Sequence, residues 1–332
     1  MKIASGFAFA ATVLLAISGS AKAEPPPAKA SAWYAGYHRD AKLVNLTDDR
    51  RLAIYCLGRG SPTVVLESGL GDGASSWWPV QDEIARTTQV CAYDRAGHGR
   101  SPAGPLPRDT RAEVADLELL LKQANLVGPY VLVGHSMGAY NVRLYATRHP
   151  GEVAGLVLVD GSVENQGRRF SEVIPKWNEV ASRNLPLIRK CADPQRSGAV
   201  ADACVGLPPP GYPAEFADRY RESQGAAHFA TTLSERESFD SLDSEELIAE
   251  RHSLGNLPMV VLTAGSGMDG LPKEQAADIG KLWGRMHDEV AALSTVGVNR
   301  TVEGAHHYIH GEKPEAVIAA VTEVVEAARK RR

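Results

Sequence analysis

Two glycines bracket Ser136 in the run Gly134-His135-Ser136-Met137-Gly138, which directly follows the apolar segment Tyr130-Val131-Leu132-Val133. A G-x-S-x-G segment between a strand and a helix is a turn so tight that side chains at positions 134 and 138 would clash, which requires glycine at both. The turn lifts the serine hydroxyl clear of its neighbours, where a base can reach it and activate an otherwise weak nucleophile. Downstream, Tyr140, Leu144 and Tyr145 recur at helical spacing, and His149-Pro150-Gly151 ends the run. A chance match in a loop would lack the strand before it and the helix after it.

Further short apolar runs recur along the chain: 52–57, Thr63-Val64-Val65-Leu66, Val90-Cys91-Ala92-Tyr93, Val153-Ala154-Gly155-Leu156-Val157-Leu158-Val159 and Pro258-Met259-Val260-Val261-Leu262-Thr263. Each is nearly continuous, as parallel strands covered by helices on both faces are. With the turn at Ser136, the segment Ser68-Gly69-Leu70-Gly71, the run Asp94-Arg95-Ala96-Gly97-His98-Gly99-Arg100-Ser101 and the late loop Gly304-Ala305-His306-His307-Tyr308-Ile309, the chain resembles the α/β-hydrolase family over most of its length. The resemblance implies an α/β fold: a mostly parallel eight-stranded sheet with helices on both faces and a helical cap inserted after strand 6. Residues 33–161 and 256–332 would form the core. Residues 162–255 would form the cap, where the strand pattern gives way to amphipathic segments at 170–180, 214–222 and 244–251, punctuated by Leu207-Pro208-Pro209-Pro210-Gly211.

The same resemblance assigns roles. Ser136 would be the nucleophile and His307 the base, because in relatives a proline opening the last helix follows the catalytic histidine by seven residues, as Pro314 follows His307. His306 is one position out of that register, His310 is further off, and His98 reads as a loop-stabilising residue. Two aspartates fit the chain order for the acid: Asp160, ending the sixth strand, is preferred, and Asp269, beyond the seventh, is the alternative. The N–H groups of Met137 and Leu70 would form the oxyanion hole. Serine at position 68 stands where the family carries histidine, which leaves the backbone donor intact. Trp77 and Trp78 read as packing residues.

The implied reaction is hydrolysis of a small-molecule carboxylic ester through an acyl-enzyme, with no cofactor. An amidase like the proline iminopeptidases, or a lactonase, would share this triad. A non-catalytic binding protein on the same fold is an alternative of another class. A dehalogenase or epoxide hydrolase would need aspartate where Ser136 stands.

Lys2, the apolar stretch 7–17 and Ser20-Ala21-Lys22-Ala23 read as a secretory signal over 1–23, too short in its apolar part for the roughly 20 residues that span a bilayer. Residues 24–32, with Pro25-Pro26-Pro27, read as a disordered leader. A periplasmic or secreted location is therefore expected, with no membrane span after cleavage. The net charge of −4 and the absence of a basic stripe exclude nucleic acid as a partner. Four cysteines in an exported chain read as two disulfides. The family's strand order makes the second and fourth strands neighbours, which implies pairing of Cys56 with Cys91 and of Cys191 with Cys204. No C-x-x-C pair is present, and no metal is expected.

Overall fold

The computed structural model describes residues 28–47, 49–198, 203–205, 214–266 and 271–331. Residues 1–23, Pro25-Pro26-Pro27, Leu207-Pro208-Pro209-Pro210-Gly211 and Asp269 lie outside the described residues.

Eight strands, β1 (Lys42–Asn45), β2 (Arg51–Leu57), β3 (Thr63–Glu67), β4 (Val90–Tyr93), β5 (Tyr130–His135), β6 (Val153–Val159), β7 (Met259–Ala264) and β8 (Val298–Val302), form one sheet in the order β1-β2-β4-β3-β5-β6-β7-β8. β2 runs antiparallel to β1 and β4, and every other pairing is parallel.

Successive side chains of a strand point to opposite faces, and here both faces are covered. Val65, Leu132, Leu156, Leu158 and Val261 pack against helices Thr110–Gln123, Gly138–Arg148 and Lys273–Ala291. Their neighbours Val64, Leu66, Val131, Val133, Val157 and Val260 pack against helices Ala28–Asp40, Trp78–Ile84 and Pro314–Lys330. This double burial is why the central strands are continuous apolar runs. β8 is an edge strand with largely exposed side chains, and its sequence carries no such run.

The helix Ala28–Asp40 corrects one expectation, since it begins inside the stretch 24–32 read as a disordered leader. Its aromatic residues hold it down. Trp33, Tyr34 and Tyr37 are buried, Trp33 stacks on Tyr37 and meets Tyr55 edge-on, and its indole N–H donates to Gln81 Oε1 at 3.0 Å.

Between β6 and β7 lies the cap. Its described helices are Gln166–Val173, Trp177–Ala181, Leu185–Ala192, Ala217–Ser223, Ala226–Phe239 and Leu242–Ala249. The segment 170–180 is split between two helices at Pro175, which lacks the N–H that a continuous helix needs. Helix Ala226–Phe239 was not visible as an apolar pattern, because its buried face carries His228, Thr231, Thr232, Glu235 and Ser238.

Cys56 and Cys91 are register partners across β2 and β4 and are joined by a disulfide. A second disulfide joins Cys191 to Cys204 within the cap. Among the described residues no helix is long and apolar enough to cross a membrane.

Candidate active site

The parallel strands direct their carboxyl ends to one edge of the sheet, and the segments that follow them there carry Ser136, Met137, Asp160, Leu70 and His307. Ser136 follows β5 at φ +51°, in the left-handed region that residues other than glycine enter only at a cost. The turn has no room to relax. A Cβ on Gly134 would come within 2.6 Å of the Gly138 carbonyl oxygen, and one on Gly138 within 2.6 Å of the carbonyl oxygens of Glu67 and Ser68. The two glycines are thus required by backbone packing, including packing against the end of β3. Hydrogen bonds from Ser136 N–H to Val159 O (3.2 Å) and from Ser162 N–H to Ser136 O (2.9 Å) stitch the turn to β6.

His307 lies in the loop beyond β8. Its Nε2 is 2.9 Å from Ser136 Oγ, and its Nδ1 is 2.7 Å from Asp160 Oδ2. With the Nδ1 proton donated to the carboxylate, Nε2 is left to accept from the serine hydroxyl. The imidazole remains about a third exposed, whereas the Asp160 side chain is 6% exposed. The other expected histidines lie elsewhere: His306 is exposed and bonded to Glu312, and His310 is buried against Trp77 and His135. These two have H-x-x-x-H spacing. Among the described residues, however, no group of three or more His, Cys, Asp or Glu side chains is placed to hold a metal.

Asp160 ends β6 at φ +43°. Its second oxygen, Oδ1, accepts from the indole N–H of Trp283 at 2.8 Å and from the Ala264 N–H at 3.0 Å. Burial alone would raise the pKa of this carboxyl. The hydrogen bond from His307 and the positive charge it can carry, with smaller help from His287 and the Ala264 N–H, bring it below the usual range. Asp160 is therefore ionised and held at both oxygens.

The loop after β3 abuts the serine. A Cβ on Gly69 would lie 3.2 Å from Ser136 Cβ and 2.9 Å from His135 Nδ1, so only glycine permits this approach. Ser68, in place of the family's histidine, accepts from the Trp77 indole at 3.0 Å and donates to Gly73 O at 2.8 Å, which fixes the far side of the loop. Leu70 packs with Met137, Tyr140, Phe239 and Leu247. No hydrogen bond among the described residues uses the N–H of Leu70 or of Met137.

Several residues of this site were not singled out from the sequence. His135 donates from Nε2 to the His307 carbonyl at 3.0 Å. Burial, followed by the neighbouring His310 and His307, lowers its pKa well below the ordinary value and keeps it neutral. Its place beside Ser136 in G-x-S-x-G was the available signal. Trp283 had none, because it reads as one more apolar residue on the helix Lys273–Ala291. Arg95, beside β4, pairs with Glu67 and with Glu235 of the cap, to which His98 is hydrogen-bonded, and these buried groups surround the loop after β3.

Residues 64–320 match the Alpha/beta hydrolase family. Uncharacterized protein YqjL of Bacillus subtilis is 26% identical over 80% of this chain and 85% of its own length. The sn-1-specific diacylglycerol lipase ABHD11 of Mus musculus is 28% identical over 79% of this chain and 80% of its own. A thermophilic esterase from Thermogutta terrifontis superposes with a TM-score of 0.58 at 21% identity, covering 87% of this chain and 99% of that one. Solved epoxide hydrolases share the fold as well. The family match across β3 to the last helix, on a sheet with this strand order, makes the chain a member of the α/β-hydrolase family.

Proposed function

We propose that this protein is an exported serine hydrolase that cleaves carboxylic esters. The observation that carries the reading is the hydrogen-bonded line Ser136–His307–Asp160, set beside two backbone N–H groups with no partner among the described residues. In this reading His307 Nε2 takes the Ser136 proton as Oγ attacks the acyl carbon, and Asp160 stabilises the imidazolium that results. Negative charge builds on the former carbonyl oxygen, where the N–H groups of Leu70 and Met137 receive it. His307 then protonates the departing alcohol. Water, deprotonated by His307, attacks the acyl-enzyme and releases the acid. Neither step requires a cofactor.

A serine at position 136 argues against epoxide hydrolysis despite the shared fold, because that chemistry opens its ring with an aspartate at the elbow. The diacylglycerol lipase among the similar proteins supports an ester substrate. Export is supported by the disulfides, which persist in oxidising compartments, together with the signal-like composition of residues 1–23.

The test is labelling by a fluorophosphonate probe, followed by turnover of p-nitrophenyl esters of increasing acyl length. Wild-type protein should label at Ser136 and release nitrophenol, and Ser136→Ala should do neither. A folded wild-type chain that does not label would leave the site a binding cleft.

A further inference from the structure

The loop that carries the Leu70 N–H has glycine on either side, with Gly71 at φ +74°, and such a sequence has little stiffness of its own. An oxyanion donor is effective only if it is already aimed when charge develops. Within the loop the Asp72 N–H donates to Gly69 O at 3.1 Å, and the charged, shorter ties come from outside it. Carbonyl and N–H of one trans peptide are coplanar and point in opposite directions, so the orientation of the Gly69 carbonyl sets that of the Leu70 N–H. Arg95 Nη2 donates to Gly69 O at 2.7 Å, and Nη1 donates to Ser68 O at 2.7 Å. On the other side of Leu70, the Gly71 N–H donates to Glu235 Oε2 at 2.8 Å. Both peptide planes that meet at Leu70 are therefore tied down.

Glu235 belongs to the cap helix Ala226–Phe239, and its other oxygen accepts from Arg95 Nη2 at 3.1 Å, Arg95 Nε at 3.2 Å and His98 Nε2 at 2.7 Å. Arg95 also reaches Glu67 on β3 at 2.9 Å. All of these side chains are buried, so the ties are not weakened by water. An ion pair that merely fastened the cap would not need to direct two arginine N–H groups to backbone carbonyls of this loop. A cationic donor on an amide oxygen also strengthens the N–H of the same amide as a donor.

We propose that Arg95 and Glu235 are positioning residues for the oxyanion hole, so that the cap helix is a working part of it and not only a cover that selects substrate. The inference rests on the reading of Ser136 as nucleophile and Leu70 as oxyanion donor.

Glu235→Gln removes the charge and keeps the size. Loss of a whole oxyanion donor lowers kcat by about 10²–10³, and a donor left in place but misaimed should lower it by about 10- to 100-fold. KM for a p-nitrophenyl ester should stay within about threefold. Affinity for an alkyl boronic acid, which becomes tetrahedral on Ser136, should fall in parallel with kcat. Ser234→Ala is the control: it removes a cap-to-core hydrogen bond to the Arg108 N–H, 2.8 Å long, without touching the loop, and should leave kcat within about twofold. If Glu235→Gln fails to fold, Glu235→Asp, which shortens the reach to Gly71, takes its place with the same expectation. A variant whose KM rises at unchanged kcat, or whose boronate affinity is that of wild type, overturns the inference while leaving the hydrolase reading intact. A wild-type chain that does not label with fluorophosphonate removes both.

Discussion

Replacing Asp160 by asparagine exchanges one oxygen for an NH2 group, and the structure dictates which one. Oδ1 accepts from two donors, the Trp283 indole and the Ala264 N–H, so the amide oxygen must stay there and the NH2 must face His307 Nδ1. An NH2 group can only donate. His307 is then forced to accept at Nδ1 and to carry its proton on Nε2, the atom 2.9 Å from Ser136 Oγ, where it can no longer take the serine proton. The imidazolium also loses its counter-charge. Unit charges at the observed separation of 2.7 Å attract by about 6 kcal/mol at an effective dielectric of about 20, which corresponds to roughly four powers of ten in rate. We therefore expect kcat for p-nitrophenyl butyrate to fall by about 10⁴ at neutral pH, with unchanged circular dichroism and KM within a fewfold. Asp269→Asn serves as the companion variant and should keep most activity. Asp160→Asn protein retaining a tenth of wild-type kcat would mean that His307 does not depend on this carboxylate, and a dead Asp269→Asn would move the acid beyond the seventh strand.

His307→Ala should be as inactive as Ser136→Ala, whereas His306→Ala, which removes an exposed ring bonded to Glu312, should stay near wild type in the same assay; the reverse pattern would place the base one residue earlier. Trp283→Phe removes one hydrogen bond to a charged group, worth about 1.5–3 kcal/mol, and should lower kcat by roughly 10- to 100-fold; an unchanged rate would mean that the Ala264 N–H alone holds Asp160. Replacing Cys56 and Cys91 together by alanine opens a 35-residue separation, and replacing Cys191 and Cys204 a 13-residue one; chain entropy assigns about 4 and about 3 kcal/mol to them, and a urea midpoint that does not move would contradict it. His228 and His310, each lowered by burial to about 3, stay neutral in the folded chain while the unfolded chain takes up protons below about 6.5. Their contribution to stability is complete above that value and is lost as pH falls, by about 2 kcal/mol each at pH 5. Asp243, raised by burial to about 7, has the opposite sign, its contribution being lost as pH rises from about 4 toward 7. His310→Gln should accordingly flatten the urea-measured loss between pH 7 and pH 5, and Asp243→Asn should steepen it.

The elements readable from sequence are those whose burial is apolar. β3 to β7 could be located because both faces of each strand meet hydrophobic layers, and the elbow could be located because backbone contact demands glycine at 134 and 138. The seven-residue spacing taken from the family resemblance singled out His307 over His306, and Pro314 does open the helix Pro314–Lys330. What escaped was held together by polar or irregular contacts. Helix Ala226–Phe239 buries His228, Thr231 and Glu235 where an amphipathic reading looks for leucine. Helix Ala28–Asp40 follows three prolines and is fixed by an edge-on aromatic contact with Tyr55 on a distant strand. Trp283 and Arg95 act on residues far away in the chain, a relation that no local pattern carries.

The left-handed backbone at Ser136 and Asp160 bears on how this protein can be altered. Residues other than glycine in that region carry a conformational cost of order 1–3 kcal/mol, and glycine carries almost none. Ser136→Gly should therefore be hardier than the wild-type chain, whereas Asp160→Gly would leave the buried Trp283 indole and the Ala264 N–H without their acceptor and gain nothing. Random mutagenesis selected for heat resistance alone would drift toward Ser136→Gly and return sturdy, inert protein. Any laboratory search for a more durable form has to make survival depend on turnover, because the two qualities compete for the same backbone position.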